Sequence, residues 1–216
     1  MSLENVGPNF NLELYLKARE KTITAVQKTA VRIVPGMTEH DGHSILQEEL
    51  ALMGVEKFWH PTKFRMNKNT TKSFRDLSDE GIVLQKNDVF FIDIGPVFYN
   101  HEGDYGETFF VGDDEIHEHL KNASKCVFQK TQQAWREKQL SGNELYNFAS
   151  REAKKLGFTL NTRMYGHRLG DFPHALHFKG KLGEIETCPL PHLWVLEIHL
   201  LDEKNGLGAF FEDLLI

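Results

Sequence analysis

The sequence predicts an α+β domain in which one helix–helix–hairpin unit occurs twice. Three observations carry that expectation. Two pairs of helical stretches each close on a glycine, Gly54 in the first half and Gly157 in the second. Each pair is followed by an irregular polar segment and then by a strand, a turn and a returning strand. Set Gly54 against Gly157 and the two orders coincide about 103 residues apart, with LSGNE where PGMTE stands. Order alone does not separate duplication from a chance alternation of helices and hairpins.

The elements follow from local chemistry. A helical stretch runs from Leu12 to Ile33 and stops at Pro35-Gly36. Thr38 is the expected N-cap of the next helix. Residues 61–81, rich in Asn, Thr and Lys, read as irregular, and VFFIDIGPVFYN with HEGDYGETFFVGDD reads as the first hairpin. A third helix is expected from Glu115 to Lys138, and Ser141 with Glu144 has the spacing of a capping box for the fourth. The Gly- and His-rich segment 161–183 leads to HLWVLEIHLLDEKNGLGAFFEDLLI, the second hairpin.

Composition limits what such a chain does. Its 216 residues fit a single domain, 1–216, large enough to bury roughly 70% of the surface its unfolded chain exposes. Hydrophobic residues at 40% and charged residues at 26% exclude a disordered or fibrous chain. The net charge of −6, without a basic stripe or a cationic amphipathic helix, argues against nucleic acid and anionic membrane as partners. No run approaches the ~20 apolar residues of a membrane span, and the N-terminus lacks the pattern of a secretory leader. Two cysteines, Cys126 and Cys188, fit a reducing cytoplasm, the expected location.

Acids stand where strands do not favour them. Asp93 interrupts the most β-prone run of the chain, and Glu197 interrupts the run Trp194 to Ile198. A two-residue turn at Tyr99-Asn100 sets Asp93 opposite Gly106, with Asp104 as its diagonal neighbour on the same face. A turn centred on Lys204-Asn205 sets Glu197 opposite Glu212, and a turn one residue later still leaves both on one face. Four such carboxylates brought together repel, and two divalent cations offset their charge. Two metals ~3.5–4 Å apart are a hydrolytic device, and oxygen-rich sites with a histidine suit manganese, iron, cobalt or zinc. A strand-edge carboxylate facing water is the commoner reading of any single acid; matched parity favours the metal.

The histidines sort by context. His117 and His119 open a polar helix two positions apart and do not share a face, so they read as solvated. His167 and His174 lie in YGHRLGDFPHALHF, a loop of the kind that carries ligands. His60, His177, His192 and His199 are weaker candidates, His199 because it shares the strand face of Glu197. Cys126 reads as packing, and HExxH, CxxC, GxSxG and phosphate-loop patterns are missing from the sequence.

Together, Asp93 in FIDIG, Asp104 eleven positions on, His167 in GHRLG, Glu197 in VLEIH and Glu212 in FFED resemble the pita-bread metallohydrolases. That family includes methionine aminopeptidase, aminopeptidase P, proline dipeptidase and creatinase. His174, seven positions after His167, matches a second family histidine. The resemblance implies the pita-bread fold, two pseudo-symmetric halves forming a mainly antiparallel curved sheet covered by helices, without an N-terminal accessory domain. It implies two divalent ions, manganese foremost with cobalt, zinc or iron as alternatives. Asp93 holds one ion, His167 and Glu197 the other, and Asp104 and Glu212 bridge them. On that resemblance a metal-bridged hydroxide would attack the carbonyl, Glu197 would serve as general base, and His174 would contact the substrate and stabilise the oxyanion; His199, by its strand face, is a further, weaker substrate contact.

Departures from the family pattern are local. Phe74-Arg75-Asp76 stands where family peptidases carry an active-site histidine, and His60 is too far upstream to replace it without a different loop path. Gly106, Ile198 and Ala175 replace a frequent Thr, Pro and acid. The expectation is a dinuclear metallopeptidase, an Xaa-Pro-type aminopeptidase or dipeptidase acting on short peptides. A creatinase-like hydrolase of a small C–N bond and a non-catalytic binding module of the same fold are the alternatives. An exposed hairpin edge could support a homodimer.

Overall fold

The computed structural model describes residues 3–173 and 177–216. The four helices are α1 (Leu12–Ala30), α2 (Glu39–Leu52), α3 (Glu115–Lys138) and α4 (Gly142–Lys155). α1 is three residues shorter than expected; the chain turns at Val31-Arg32, where the Arg32 amide donates to the Thr29 carbonyl. Thr38 with Asp41, and Ser141 with Glu144, form complete capping boxes on α2 and α4. Such a cap contributes about 1 kcal/mol.

The strands are β1 (Lys57–Phe58), β2 (Lys63–Met66), β3 (Asp88–Ile94), β4 (Pro96–Phe98), β5 (His101–Glu102), β6 (Tyr105–Val111), β7 (Thr159–Leu160), β8 (His167–Arg168), β9 (Trp194–Asp202) and β10 (Leu207–Leu214). The main sheet is antiparallel in the order β2-β3-β6-β10-β9-β7, with β8 also paired to β9. β1, β4 and β5 form a small second sheet. Strand β2 lies in the segment expected to be irregular. It is four residues long, and it pairs with β3 because Phe64 stacks on Phe90, ring centroids 5.7 Å apart, and Met66 is buried.

Both hairpins take the expected register. Asp93 faces Gly106 across β3–β6, and Glu197 faces Glu212 across β9–β10. Tyr99 and Asn100 have φ of 56° and 57°, the left-handed pair of a type I′ turn. The first hairpin is interrupted at Gly95, so its tip leaves the main sheet and pairs with β1.

Alternation assigns the two faces. Phe90, Ile92 and Ile94 on β3, Leu196, Ile198 and Leu200 on β9, and Ala209 and Phe211 on β10 share one core with Val26, Leu120, Val127 and Leu145 of the helices. Truncating one of the large side chains among these to alanine costs about 2–5 kcal/mol. That face is apolar, so the residues of opposite parity are free to be polar on the other.

Candidate metal centre

On the opposite face, one transverse row crosses four strands: Asp93 on β3, Gly106 on β6, Glu212 on β10 and Glu197 on β9. Asp104, at the junction of β5 and β6, is the diagonal neighbour of Asp93. Asp93, Asp104 and Glu212 are at most 3% exposed. The sheet therefore gathers Asp93, Glu197 and Glu212 by pleat parity, and the β5–β6 junction adds Asp104. Asp104 is central, for neither of its oxygens makes a hydrogen bond of good geometry. Its Oδ2 lies 3.1 Å from His167 Nε2 and its Oδ1 lies 3.7 Å from His60 Nε2. His167 Nε2 is also 3.4 Å from Glu212 Oε1.

Gly166 explains the Gly-His pair. Its φ is +64°, and a Cβ there would come within 2.5 Å of the Val195 carbonyl and 2.7 Å of the Tyr146 hydroxyl. The turn aims the Gly166 amide at Glu197 Oε2, 2.9 Å away, and delivers His167 into pairing with Val195. The Tyr146 hydroxyl donates to the Glu197 carbonyl at 3.1 Å and accepts from the Glu197 amide at 3.2 Å, which fixes the strand behind the carboxylate.

His60 is the residue that sequence reasoning undervalued. Its loop does take a different path: pairing of β1 with β4 and the Trp59 amide bond to the Gly95 carbonyl carry it to the hairpin. Gly95 leaves it room, since a Cβ at Gly95 would lie 2.6 Å from His60 Nε2. The Phe74 ring meets the imidazole edge-on at 5.3 Å. The signal was the Lys57-Phe58-Trp59 run, too short to stand out as a strand before the hairpin tip was known to leave the sheet.

Burial and mutual repulsion set the protonation states. Burial pushes Asp93 up to about 7, with Asp104 and Glu197 adding to the effect against the opposing pull of His60. Burial likewise raises Glu212 and Glu197. Asp104 goes the other way: although burial pushes it up, His167 and His60 hold it well below the usual carboxylate range. Burial pulls His60 down, but Asp104 and Asp93 outweigh it and lift the imidazole to about 9. His167 rises well above its ordinary value by the same balance, through Asp104 and Glu212.

The centre floors a cavity of about 520 Å³. Trp59, Phe74, Met164 and Tyr165 form its apolar wall, and Arg75, Arg163 and Lys181 its basic rim. Arg163 is committed to Asp76, with two bonds of 2.8 and 2.7 Å, and beneath that pair the Asn161 amide donates to Ser73 Oγ at 2.9 Å.

His199, expected as a weak substrate contact, is corrected. It is fully buried and does not line the cavity: Nε2 lies 2.7 Å from the Thr70 carbonyl and Nδ1 lies 3.0 Å from Asn161 Nδ2. The carbonyl requires Nε2 to donate and the amide requires Nδ1 to accept, so the ring is neutral. Burial accordingly pulls it down to about 4. His199 shares the parity of Glu197 but sits one row along, where Phe91 and Phe210 enclose it. His174 lies outside the described residues.

The model of metallopeptidase family M24 matches residues 13–216. The chain belongs to that family. Solved structures agree with the fold. A prolidase from Pyrococcus horikoshii OT3 is 18% identical with a TM-score of 0.74, covering 94% of this chain and 58% of its own. A methionine aminopeptidase from Thermotoga maritima is 18% identical with a TM-score of 0.72, and the match covers 98% of both chains. A His350Ala Escherichia coli aminopeptidase P is 17% identical with a TM-score of 0.74, covering 95% of this chain and 53% of its own. The chain thus spans a little over half the length of the prolidase and the aminopeptidase P. No curated protein sequence matches it. Among the described residues no helix is long and apolar enough to cross a membrane.

Proposed function

We propose that the chain is a dinuclear metal-dependent hydrolase of short peptides, an aminopeptidase or dipeptidase of the Xaa-Pro type. The observation that carries this is the sharing of Asp104 between two groups of three ligand atoms, His60-Asp93-Asp104 and Asp104-His167-Glu212, each within 4.8 Å. A buried carboxylate whose oxygens both lack a hydrogen bond, set between imidazoles, fits a bridging ligand better than a structural acid. Asp93, Asp104, His167, Glu197 and Glu212 would hold the ions, manganese first among them. When bound, such ions acidify water and polarise a carbonyl.

The chain's own groups divide the remaining work. Glu197 Oε2 is held by the Gly166 amide, which orients the carboxylate as the base that takes a proton from water and passes it to the leaving amine. His174 is proposed to meet the carbonyl oxygen as negative charge develops. The apolar wall would exclude water, and Arg75 and Lys181 on the rim would favour a substrate that ends in a carboxylate. Phe74 in place of a family histidine favours the second reading, a small non-peptide C–N substrate.

One experiment separates these readings. The protein is stripped, reloaded with manganese and given a mixed di- and tripeptide library read by mass spectrometry, with Glu197→Gln as control. Cleavage that needs both metal and Glu197 is the expected result. An intact library with two ions bound overturns the peptidase and turns attention to small amides. An intact library with no ion bound leaves a binding module.

A further inference from the structure

The two imidazoles at Asp104 are placed alike. His167 Nδ1 lies 3.2 Å from the carbonyl of the next residue, Arg168, and His60 Nδ1 lies 3.1 Å from the carbonyl of its own next residue, Pro61. A carbonyl accepts, so Nδ1 carries the proton in both rings and Nε2 is the atom presented to the carboxylates. His167 Nε2 addresses Oδ2 of Asp104 and His60 Nε2 addresses Oδ1. An imidazole lone pair aimed between Asp93 and Asp104 is repelled by both unless a cation, a proton or a metal, stands between them. The surroundings keep the ring there: Gly95 makes space for Nε2, Phe74 packs on the imidazole, and the side chain is 13% exposed.

We infer that His60 is a ligand of the metal ion on the Asp93 side, so that each ion of the pair receives one imidazole through Nε2, His60 for one and His167 for the other. This rests on the two-ion reading above and adds a ligand to the five assigned there. A nitrogen on each ion shifts the preference from an oxygen-loving ion such as manganese toward cobalt, iron or zinc. It also gives the upstream loop a task that Phe74-Arg75-Asp76 does not perform.

The test uses Co²⁺ alone with the full chain. Wild-type protein is titrated calorimetrically, and the loaded protein is examined by proton NMR for hyperfine-shifted imidazole N–H signals. Expected are two ions per chain and two such signals that vanish in D₂O, one for each ligating ring. His60→Gln, folded by circular dichroism, should lose one signal and weaken one of the two ions by about tenfold to a hundredfold, with the other ion unchanged. Two ions bound with a single imidazole signal in the wild type would overturn the assignment and leave the two-ion reading standing, whatever the variant does. Unchanged affinity and spectrum in a folded His60→Gln would do the same. Failure of the wild type to bind Co²⁺ would overturn both.

Discussion

Two neighbouring rows of one sheet, a single pleat repeat apart, have opposite characters. Asp93, Gly106, Glu212 and Glu197 make one row, and Phe91, Thr108, Phe210 and His199 make the next. The second row is satisfied: Thr108 Oγ1 donates to the Phe210 carbonyl and accepts from its amide, His199 has a partner on each nitrogen, and the rings pack together. The first row is not, because its carboxylates share a confined space with each other. The difference shows how a rigid, closed row supports one that holds charge in opposition; a site of this kind needs a firm neighbour because its own members repel.

Exchanging single residues between these roles breaks the comparison in graded ways. The largest effect is expected for Glu197→Gln, which should lower turnover by about 10²–10⁴-fold in the reloaded enzyme while thermal unfolding scarcely moves. Next comes His199→Leu, which strands the Thr70 carbonyl and the Asn161 amide and should cost about 2–4 kcal/mol in denaturant unfolding, with the number of bound ions unaltered.

Acidity sharpens the contrast, because the two rows respond in opposite directions. His199 is held below its ordinary 6.5, at about 4, so its contribution is present above pH 6.5 and is lost as pH falls toward 4. Asp93 is raised from 3.8 to about 7, so in metal-free protein the native state binds the extra proton. Stability then declines as pH rises from about 4 to 7, by an amount on the order of a few kcal/mol. Chelated protein melted across this range should show the decline, Asp93→Asn should lessen it to the part that Glu212 and Glu197 contribute, and restored metal should reverse it. The smallest effect belongs to the rim: Arg75→Glu should raise KM for a dipeptide about twofold to fivefold at low salt and leave kcat unchanged.

Much of this was legible in the sequence for a definite reason. Strand parity is strict, so four acids in two hairpins placed themselves on one face once each turn was located. The Thr38 N-cap, the Ser141-Glu144 capping box and the terminal glycines marked α2 and α4 for similarly local reasons. His60 and His199 show where such reasoning stops. Parity put His199 on the right face but could not say which row the cavity opens over, and Phe210 and Phe91 close that row. His60 reaches the centre through a tertiary pairing of a two-residue strand, which no local pattern announces. Strand β2 was hidden because its single apolar alternation, Phe64 and Met66, is too short to stand out from the polar residues around it.

The pair Asp76–Arg163 gives the cavity a character of its own. It joins the segment before β3 to the segment before β8 beside the cavity, and Asn161 and Ser73 join the same two segments. Among the described residues, two segments that line the cavity are therefore tied to each other as well as to the sheet. Because the Arg163 side chain is largely exposed, added salt should loosen this tie more than it disturbs the buried carboxylates.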